Sequence, residues 1–227
     1  MTAAIVTGAS RGIGRAAALA LAERGLDVVL LARTAGDLAA VAELVSRCGV
    51  KALPLRCDVT ASAEVNDAAA RALEAFGAPE VVVNNAGMIR RAPVHEMSEA
   101  DFRLVLDTNL TGTFLVTRAF LPAMLKRDRG RFVQVASISS TLGSPRASAY
   151  CAAKWGVVGF TKSLAEELRG TGLGAMSILP GSVDTSMLEG SGFRPQMKPE
   201  DVARTIVYAA LDAPSAMNGS SLEMFGA

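Results

Sequence analysis

The chain has 227 residues, of which 50% are hydrophobic and 20% charged, and its formal net charge is +1. That length buries a large core and the composition is globular, which excludes a disordered chain and a small disulfide-stapled scaffold. The balanced charge, with no dominant Lys/Arg block, argues against general nucleic-acid binding. Apolar runs such as Ala16–Ala22 are far too short to span a bilayer.

Short β-branched runs alternate with longer Ala/Leu-rich amphipathic runs. Ala3–Thr7 reads as a strand and Ile13–Glu23 as a helix. Asp27–Ala32 is apolar on both faces, as a buried parallel strand is. Asp37–Cys48 reads helical, Ala52–Leu55 extended, Ala61–Phe76 helical and Val81–Val83 extended. Ser98–Lys126 reads as one long helix, with Ser98 as N-cap and Asp101 three residues on. Arg131–Ala136 is strand-like, Ser148–Leu168 helical and Ala175–Leu179 extended. Pro199–Leu211 starts with Pro at the first helical position, where its missing N–H costs nothing, and Ser221–Phe225 is the last strand. This alternation predicts an α/β fold: a Rossmann-like, doubly wound parallel sheet of about seven strands with helices on both faces. No long linker or internal repeat divides the chain, so 1–227 reads as a single domain.

Met1 leads straight into the first strand without a basic n-region, so no signal peptide is expected. Cys48, Cys57 and Cys151 are odd in number and lack metal-ligand spacing. They point to free thiols in a reducing cytoplasm and to no metal site.

The first strand ends in Thr7-Gly8-Ala9-Ser10-Arg11-Gly12-Ile13-Gly14, and a helix follows at once. Glycine lets the backbone turn sharply and approach a pyrophosphate, while the helix N-terminus adds free N–H groups and partial positive charge. An ordinary tight βα turn is the plain alternative, but the strand–loop–helix context favours the phosphate loop. The second strand ends in Leu31-Ala32-Arg33-Thr34, where an NAD-preferring domain would carry an acid. A guanidinium at Arg33 suits the extra phosphate of NADP by charge and geometry, and Arg11 could reach the same group. NADP(H) is therefore expected to be preferred over NAD(H).

Tyr150 and Lys154 lie four residues apart on one helix face. A nearby ammonium favours the phenolate, so Lys154 is expected to lower the pKa of Tyr150 and ready it for proton transfer. Ser137 ends a strand, where ligands bind in open α/β sheets, and its hydroxyl could hold a reacting oxygen. Ser139 and Ser140 are neighbouring alternatives.

The motif T-G-A-S-R-G-I-G resembles the cofactor loop of the classical short-chain dehydrogenase/reductases. Asn84-Asn85-Ala86-Gly87 matches that family's N-N-A-G, and Pro180-Gly181-Ser182-Val183-Asp184-Thr185 its P-G segment. Nearly the whole chain follows the family order, and it looks most like the 3-oxoacyl-[acyl-carrier-protein] reductases. The resemblance implies a cofactor-binding part of about 1–135 and a catalytic and substrate part of about 136–227. It implies cofactor contacts at Gly8, Ser10, Arg11, Gly12, Ile13, Gly14, Arg33, Asp58, Val59, Asn85, Ala86, Gly87, Tyr150, Lys154, Pro180, Gly181, Val183 and Thr185. The catalytic set maps as Asn109, Ser137, Tyr150 and Lys154, with Ser137 favoured over its neighbours by the family interval. Asn109 would hold a water beside Lys154 in a proton relay. The implied reaction is hydride transfer between a nicotinamide and a carbonyl or secondary alcohol, with Tyr150 as general acid/base.

By the same resemblance, 186–198 is a substrate lid, and substrate choice rests there, at Met88–Arg91 and at Ser139–Pro145. An acyl-carrier protein or CoA thioester partner would need cations near the mouth, for which Lys126, Arg127, Arg129, Arg131 and Arg169 are candidates. Subunit contacts in a homodimer or homotetramer would use the long helix and the helix of Tyr150. Gly112, Ala119, Ala152, Ala153 and Gly156 would permit close packing there. His95 reads as a rim residue, Cys151 as a small packed hydrophobe, and Trp155, Met88, Met187 and Met197 as packing or pocket wall. A non-catalytic NADP-sensing or scaffold protein is the alternative, disfavoured because the catalytic set is intact. An epimerase, dehydratase or dehalogenase is a third reading, disfavoured by the loop spacing.

Overall fold

Asp27–Ala32 is buried at every position, and so are Ala3–Thr7 and Val81–Asn84. Strands with two apolar faces must be covered on both sides, and a parallel sheet between two helical layers does this. A computed structural model describes residues 2–226; Met1, the far terminal residue, and with them the two ends of the expected 1–227 domain lie outside the described residues.

The elements are β1 (Ala3–Thr7), α1 (Gly12–Glu23), β2 (Asp27–Ala32), α2 (Ala35–Ser46), β3 (Ala52–Arg56), α3 (Ser62–Phe76) and β4 (Val81–Asn84). Then come α4 (Glu99–Leu106), α5 (Gly112–Met124), β5 (Gly130–Val135), α6 (Ser148–Glu167), β6 (Leu173–Pro180), α7 (Pro199–Val207) and β7 (Ser221–Met224). All seven strands form one sheet in the order β3-β2-β1-β4-β5-β6-β7, and every pairing is parallel. Strand order reverses between β1 and β4, the switch point where such sheets bind ligands beyond their C-terminal ends. Pro54, which cannot donate to a ladder, sits in the edge strand β3.

Period-two alternation splits the core. Ala4, Val6, Val28 and Leu30 pack with α1 and α7 on one face. Ile5, Val29, Val82 and Phe132 pack with α3, α5 and α6 on the other.

The expected helix Ser98–Lys126 is not one regular helix. Ser98 caps α4 as expected, its hydroxyl accepting from Asp101 N at 3.0 Å. A π-turn at Asp107–Thr111 then separates α4 from α5. Its cause is visible: Asn109 Nδ2 donates to Val105 O at 2.8 Å, inserting a polar side chain beside the ladder. A second π-turn, Tyr208–Asp212, continues α7, whose regular part stops at Val207.

Candidate active site

The β1–α1 loop is a cradle that only glycine can build. Gly8 and Gly12 have φ of +63° and +53°, a region that penalises a Cβ. At Gly14 a Cβ would lie 2.2 Å from Gly8 O and 2.5 Å from Asn85 Nδ2. The first turn of α1 has no side-chain cap and no acidic residue, so its N–H groups and dipole face outward. Ser10 lies in the same loop half-buried, Arg11 is exposed, and Ile13 packs back on the core. This arrangement fits a dinucleotide pyrophosphate.

The N-N-A-G segment is tied to that cradle through Thr7. The Thr7 hydroxyl accepts Asn85 N and Ala86 N, both at 2.9 Å. Asn85 Nδ2 donates to Thr7 O at 3.0 Å and Gly8 O at 3.3 Å. Thr7 opens the glycine-loop motif, and its holding role appears only once the fold brings Asn85 beside it.

At the next strand ends, Arg33 follows β2 and is exposed, with no ionic partner among the described residues. Burial opposes ionisation of Asp58, but Thr60 donates to it from N at 2.9 Å and Oγ1 at 2.8 Å. With the charges of Arg33 and Arg56, these bonds hold its carboxyl below the usual value. Val59 is buried against Gly112, where a Cβ would meet Val59 Cγ2 at 2.7 Å.

Beyond the C-terminal end of β5 the four expected catalytic side chains come together. Asn109 (1% exposed), Lys154 (4%), Tyr150 (8%) and Ser137 are all buried. Lys154 Nζ donates to Val135 O at 2.7 Å and lies 5.6 Å from the Tyr150 ring centroid. A Cβ on Gly87 would meet Asn109 Oδ1 at 2.7 Å and Lys154 Nζ at 3.6 Å, so only glycine lets these three meet. Asn109 Nδ2 donates to Met88 O and Val105 O, both at 2.8 Å, while its Oδ1 is buried without a partner. That orphaned acceptor and Lys154 Nζ both border Gly87. The Ser137 hydroxyl accepts from Ser139 N at 3.1 Å and reaches Pro180 O at 3.5 Å. Ser140 instead turns its hydroxyl onto Ser137 O, a local turn contact.

The expected lowering of the Tyr150 pKa by Lys154 is not what the structure shows. Burial pushes the phenol up, opposed by the Ser137 hydroxyl and the Arg91 charge. Burial also brings the Lys154 ammonium down to about 8, and Nζ is turned to Val135 O rather than to the phenol oxygen.

The P-G segment closes the far side. Gly181 N donates to Met224 O at 2.8 Å, Val183 pairs with Met197, and a Cβ on Gly12 would meet Thr185 Cγ2 at 3.2 Å. Asp184 N to Met197 O and Gln196 N to Ser182 O, both 2.9 Å, clamp the base of the excursion that carries the 186–198 segment. Met88, Ile89, Cys151 and Met187 are partly buried against the cluster of Val105, Ala147, Ala149 and Tyr150, as packing. Met197 is core. His95 is a surface residue, its side chain 81% exposed.

Comparison with known proteins agrees with this geometry. The short chain dehydrogenase family matches residues 2–193. The chain belongs to the short-chain dehydrogenase/reductase family. It is 40% identical to a 3-oxoacyl-[acyl-carrier-protein] reductase of Synechocystis sp., over 94% of this chain and 90% of the relative. It is 31% identical to a protein of the same name from Escherichia coli, over 98% and 95% of the two chains. The crystal structure of a short-chain type dehydrogenase/reductase from Mycobacterium marinum superposes with a TM-score of 0.94 at 33% identity, covering 99% of this chain and 94% of that one. The protein is thus an oxidoreductase acting on CH–OH or C=O groups.

Two expectations need correcting in this short-chain dehydrogenase/reductase. The basic cluster does not line the mouth. Arg127 and Arg129 both pair with buried Glu80, at 3.8 and 2.9 Å, at the N-terminal edge of β4 and β5. Arg131 Nη2 donates to Ala213 O at 3.2 Å, and Arg169 pairs with Glu166 at 2.6 Å. Ser137 lies past the other end of β5, a strand length of about 20 Å away. Three of the small helix residues serve the chain itself, whereas Ala152 is exposed. Gly112 packs on Val59, Ala153 is fully buried, and a Cβ on Gly156 would meet Leu110 Cδ2 at 2.7 Å. Leu104, Phe114 and Trp155 face outward instead, Trp155 being 53% exposed and neither core nor pocket wall.

Among the described residues, no helix is long and apolar enough to cross a membrane.

Proposed function

We propose that this chain is an NADP(H)-dependent reductase of 3-oxoacyl thioesters or related ketones. The observation that carries this reading is the buried meeting of Ser137, Tyr150, Lys154 and Asn109 beside the glycine cradle. The relatives' printed name supports the substrate class.

The residues present fit a dinucleotide. The Gly8–Gly14 cradle and the first turn of α1 would hold the pyrophosphate, Asp58, Val59, Asn85 and Ala86 would line the adenosine side, and Arg33 with Arg11 would meet the ribose phosphate. Pro180, Gly181, Val183 and Thr185 would flank the nicotinamide, which when bound supplies or accepts the hydride. Lys154 would hold ribose hydroxyls. The Ser137 hydroxyl fixes the substrate oxygen by hydrogen bonding. Tyr150 gives its phenolic proton to that oxygen in reduction and takes it back in oxidation. Its raised pKa suits the donor role, because the phenol stays protonated at neutral pH. Asn109 Oδ1 would accept from a water beside Lys154, the relay that reloads Tyr150. The 186–198 segment acts as the lid.

Assembly into a homodimer or homotetramer in the cytoplasm belongs to the same reading, supported by the outward apolar residues of α4, α5 and α6. The sensor alternative has no observation in its favour. The deciding experiment follows nicotinamide absorbance with NADPH and NADH in parallel on 3-oxoacyl thioesters, diketones, quinones and cyclic ketones. NADPH oxidation on the thioesters is expected. NADPH binding with no turnover on any carbonyl would contradict the reading.

A further inference from the structure

The mouth over Tyr150 is built from three segments held together by few bonds. Ala92 N donates to Arg146 O at 3.0 Å, joining the loop after β4 to the loop before α6. Arg146 has φ of +62°, a conformation that costs a non-glycine residue energy and persists where surrounding contacts over-determine it. Arg91 Nη2 donates to Met187 O at 3.2 Å, joining the first loop to the 186–198 segment. The surroundings are apolar: Met88, Ile89, Cys151 and Met187 pack against the buried cluster of Val105, Ala147, Ala149 and Tyr150.

Arg91 is the exception in those surroundings. It is half-buried, and the Met187 carbonyl is its one acceptor among the described residues. Its neighbour Arg90, by contrast, is exposed and pairs with Asp101 at 3.3 Å. A guanidinium carries five N–H donors, and withdrawing it from water without an anionic or oxygen partner is costly. Arg91 is tied through Met187 O to a segment whose Met187 packs against the buried cluster holding Tyr150, and its charge acts on the Tyr150 hydroxyl.

We propose that Arg91 is a specificity-determining residue that hydrogen-bonds a second substrate oxygen, the C1 oxygen of a 3-oxo compound, while Ser137 and Tyr150 hold the reacting C3 carbonyl. This rests on the reductase reading above and deepens it. A plain ketone has only the reacting oxygen and offers the remaining Arg91 donors no acceptor. The C1 oxygen belongs to a thioester carbonyl or to a free carboxylate, and both offer the same acceptor. The apolar surroundings then take a short acyl chain, and the bond to Met187 O holds the lid in register with the occupied mouth.

The test measures NADPH-dependent reduction of an acetoacetyl thioester, acetoacetate and 2-pentanone by the wild type, Arg91→Met and Arg91→Lys. In Arg91→Met the ratio of kcat/KM on the 3-oxo compound to that on 2-pentanone is expected to fall about 10- to 100-fold. This is the worth of one or two charge-assisted hydrogen bonds, and it should be carried chiefly by KM. Arg91→Lys should recover part of that ratio, and it preserves the test if the Met variant does not fold. A loss confined to acetoacetate identifies the acceptor as a carboxylate, and one confined to the thioester as its carbonyl. Equal losses on all three substrates, or none on any, would overturn the inference. A wild type that reduces 2-pentanone but neither 3-oxo compound would overturn it while carbonyl reduction stands. A wild type inactive on every carbonyl would overturn both readings.

Discussion

Asn85 and Thr7 hold each other reciprocally: Asn85 Nδ2 donates to Thr7 O at 3.0 Å, and Asn85 N donates to the Thr7 hydroxyl at 2.9 Å. The hydroxyl also takes Ala86 N, so one side chain fixes the end of β4 against the start of the glycine cradle. Thr7→Val keeps the shape and removes the acceptor from two N–H groups. Unfolding in urea should show a loss of about 2–6 kcal/mol, at about 1–3 kcal/mol for each orphaned donor. NADPH affinity should fall with it, measured by fluorescence titration. An unchanged midpoint would show that water replaces the hydroxyl.

Lys154 gives a prediction with a definite sign. Its pKa in the folded protein is about 8 against an ordinary 10.5, because burial penalises the ammonium. Between those values the unfolded chain binds more protons, so this residue's contribution to stability rises with pH across that window. Below it the burial penalty is fully present. Lys154→Met should therefore melt higher than wild type at pH 7, by up to about 3 kcal/mol, with the gap closing towards pH 10.5. A variant that melts lower at pH 7 would mean that the bond to Val135 O outweighs desolvation. Turnover of the wild type in the reducing direction should decline as pH rises through about 8, where the ammonium is lost.

Arg33 tests the cofactor preference. Arg33→Asp should weaken NADPH binding about 10- to 100-fold and leave NADH binding equal or better, because only the former loses a charge-assisted contact. Parallel titrations with the two cofactors check this. Equal losses for both would assign Arg33 a structural role.

The outward face of α4, α5 and α6 tests assembly. Sedimentation of the wild type should give a dimer or tetramer, and Trp155→Glu should shift it towards monomer by placing a charge in an apolar contact. A wild type that sediments only as monomer would remove the expectation.

Much of this was legible in the sequence because its causes are local. Asp27–Ala32 is apolar on both faces, and the sheet buries it on both. Gly8, Gly12 and Gly14 stand where a strand hands over to a helix, and each is required there for a different contact. Tyr150 and Lys154 share a face because of helical spacing alone. What escaped was set by partners distant in the chain. The reach from Thr7 to Asn85 spans the switch point between β1 and β4. The pairing of Arg127 and Arg129 with buried Glu80 holds these candidate docking cations at the end of the sheet opposite Ser137. Gly112 and Gly156 read as gaps for another subunit but are filled by Val59 and Leu110. The upward direction of the Tyr150 pKa could not be read from Y-x-x-x-K, because burial of the whole pair decides it.

The central claim is that Tyr150 carries the proton, and Tyr150→Phe tests it most directly. The side chain keeps its place in the buried cluster with Val105, Ala147 and Ala149 and loses only its hydroxyl. The measurement is kcat for NADPH-dependent reduction, alongside the Kd for NADPH. A fall in kcat of about 10²- to 10⁴-fold, with Kd changed by no more than a few-fold, is the predicted result. Turnover within about tenfold of wild type, well short of what general acid catalysis contributes, would contradict the account.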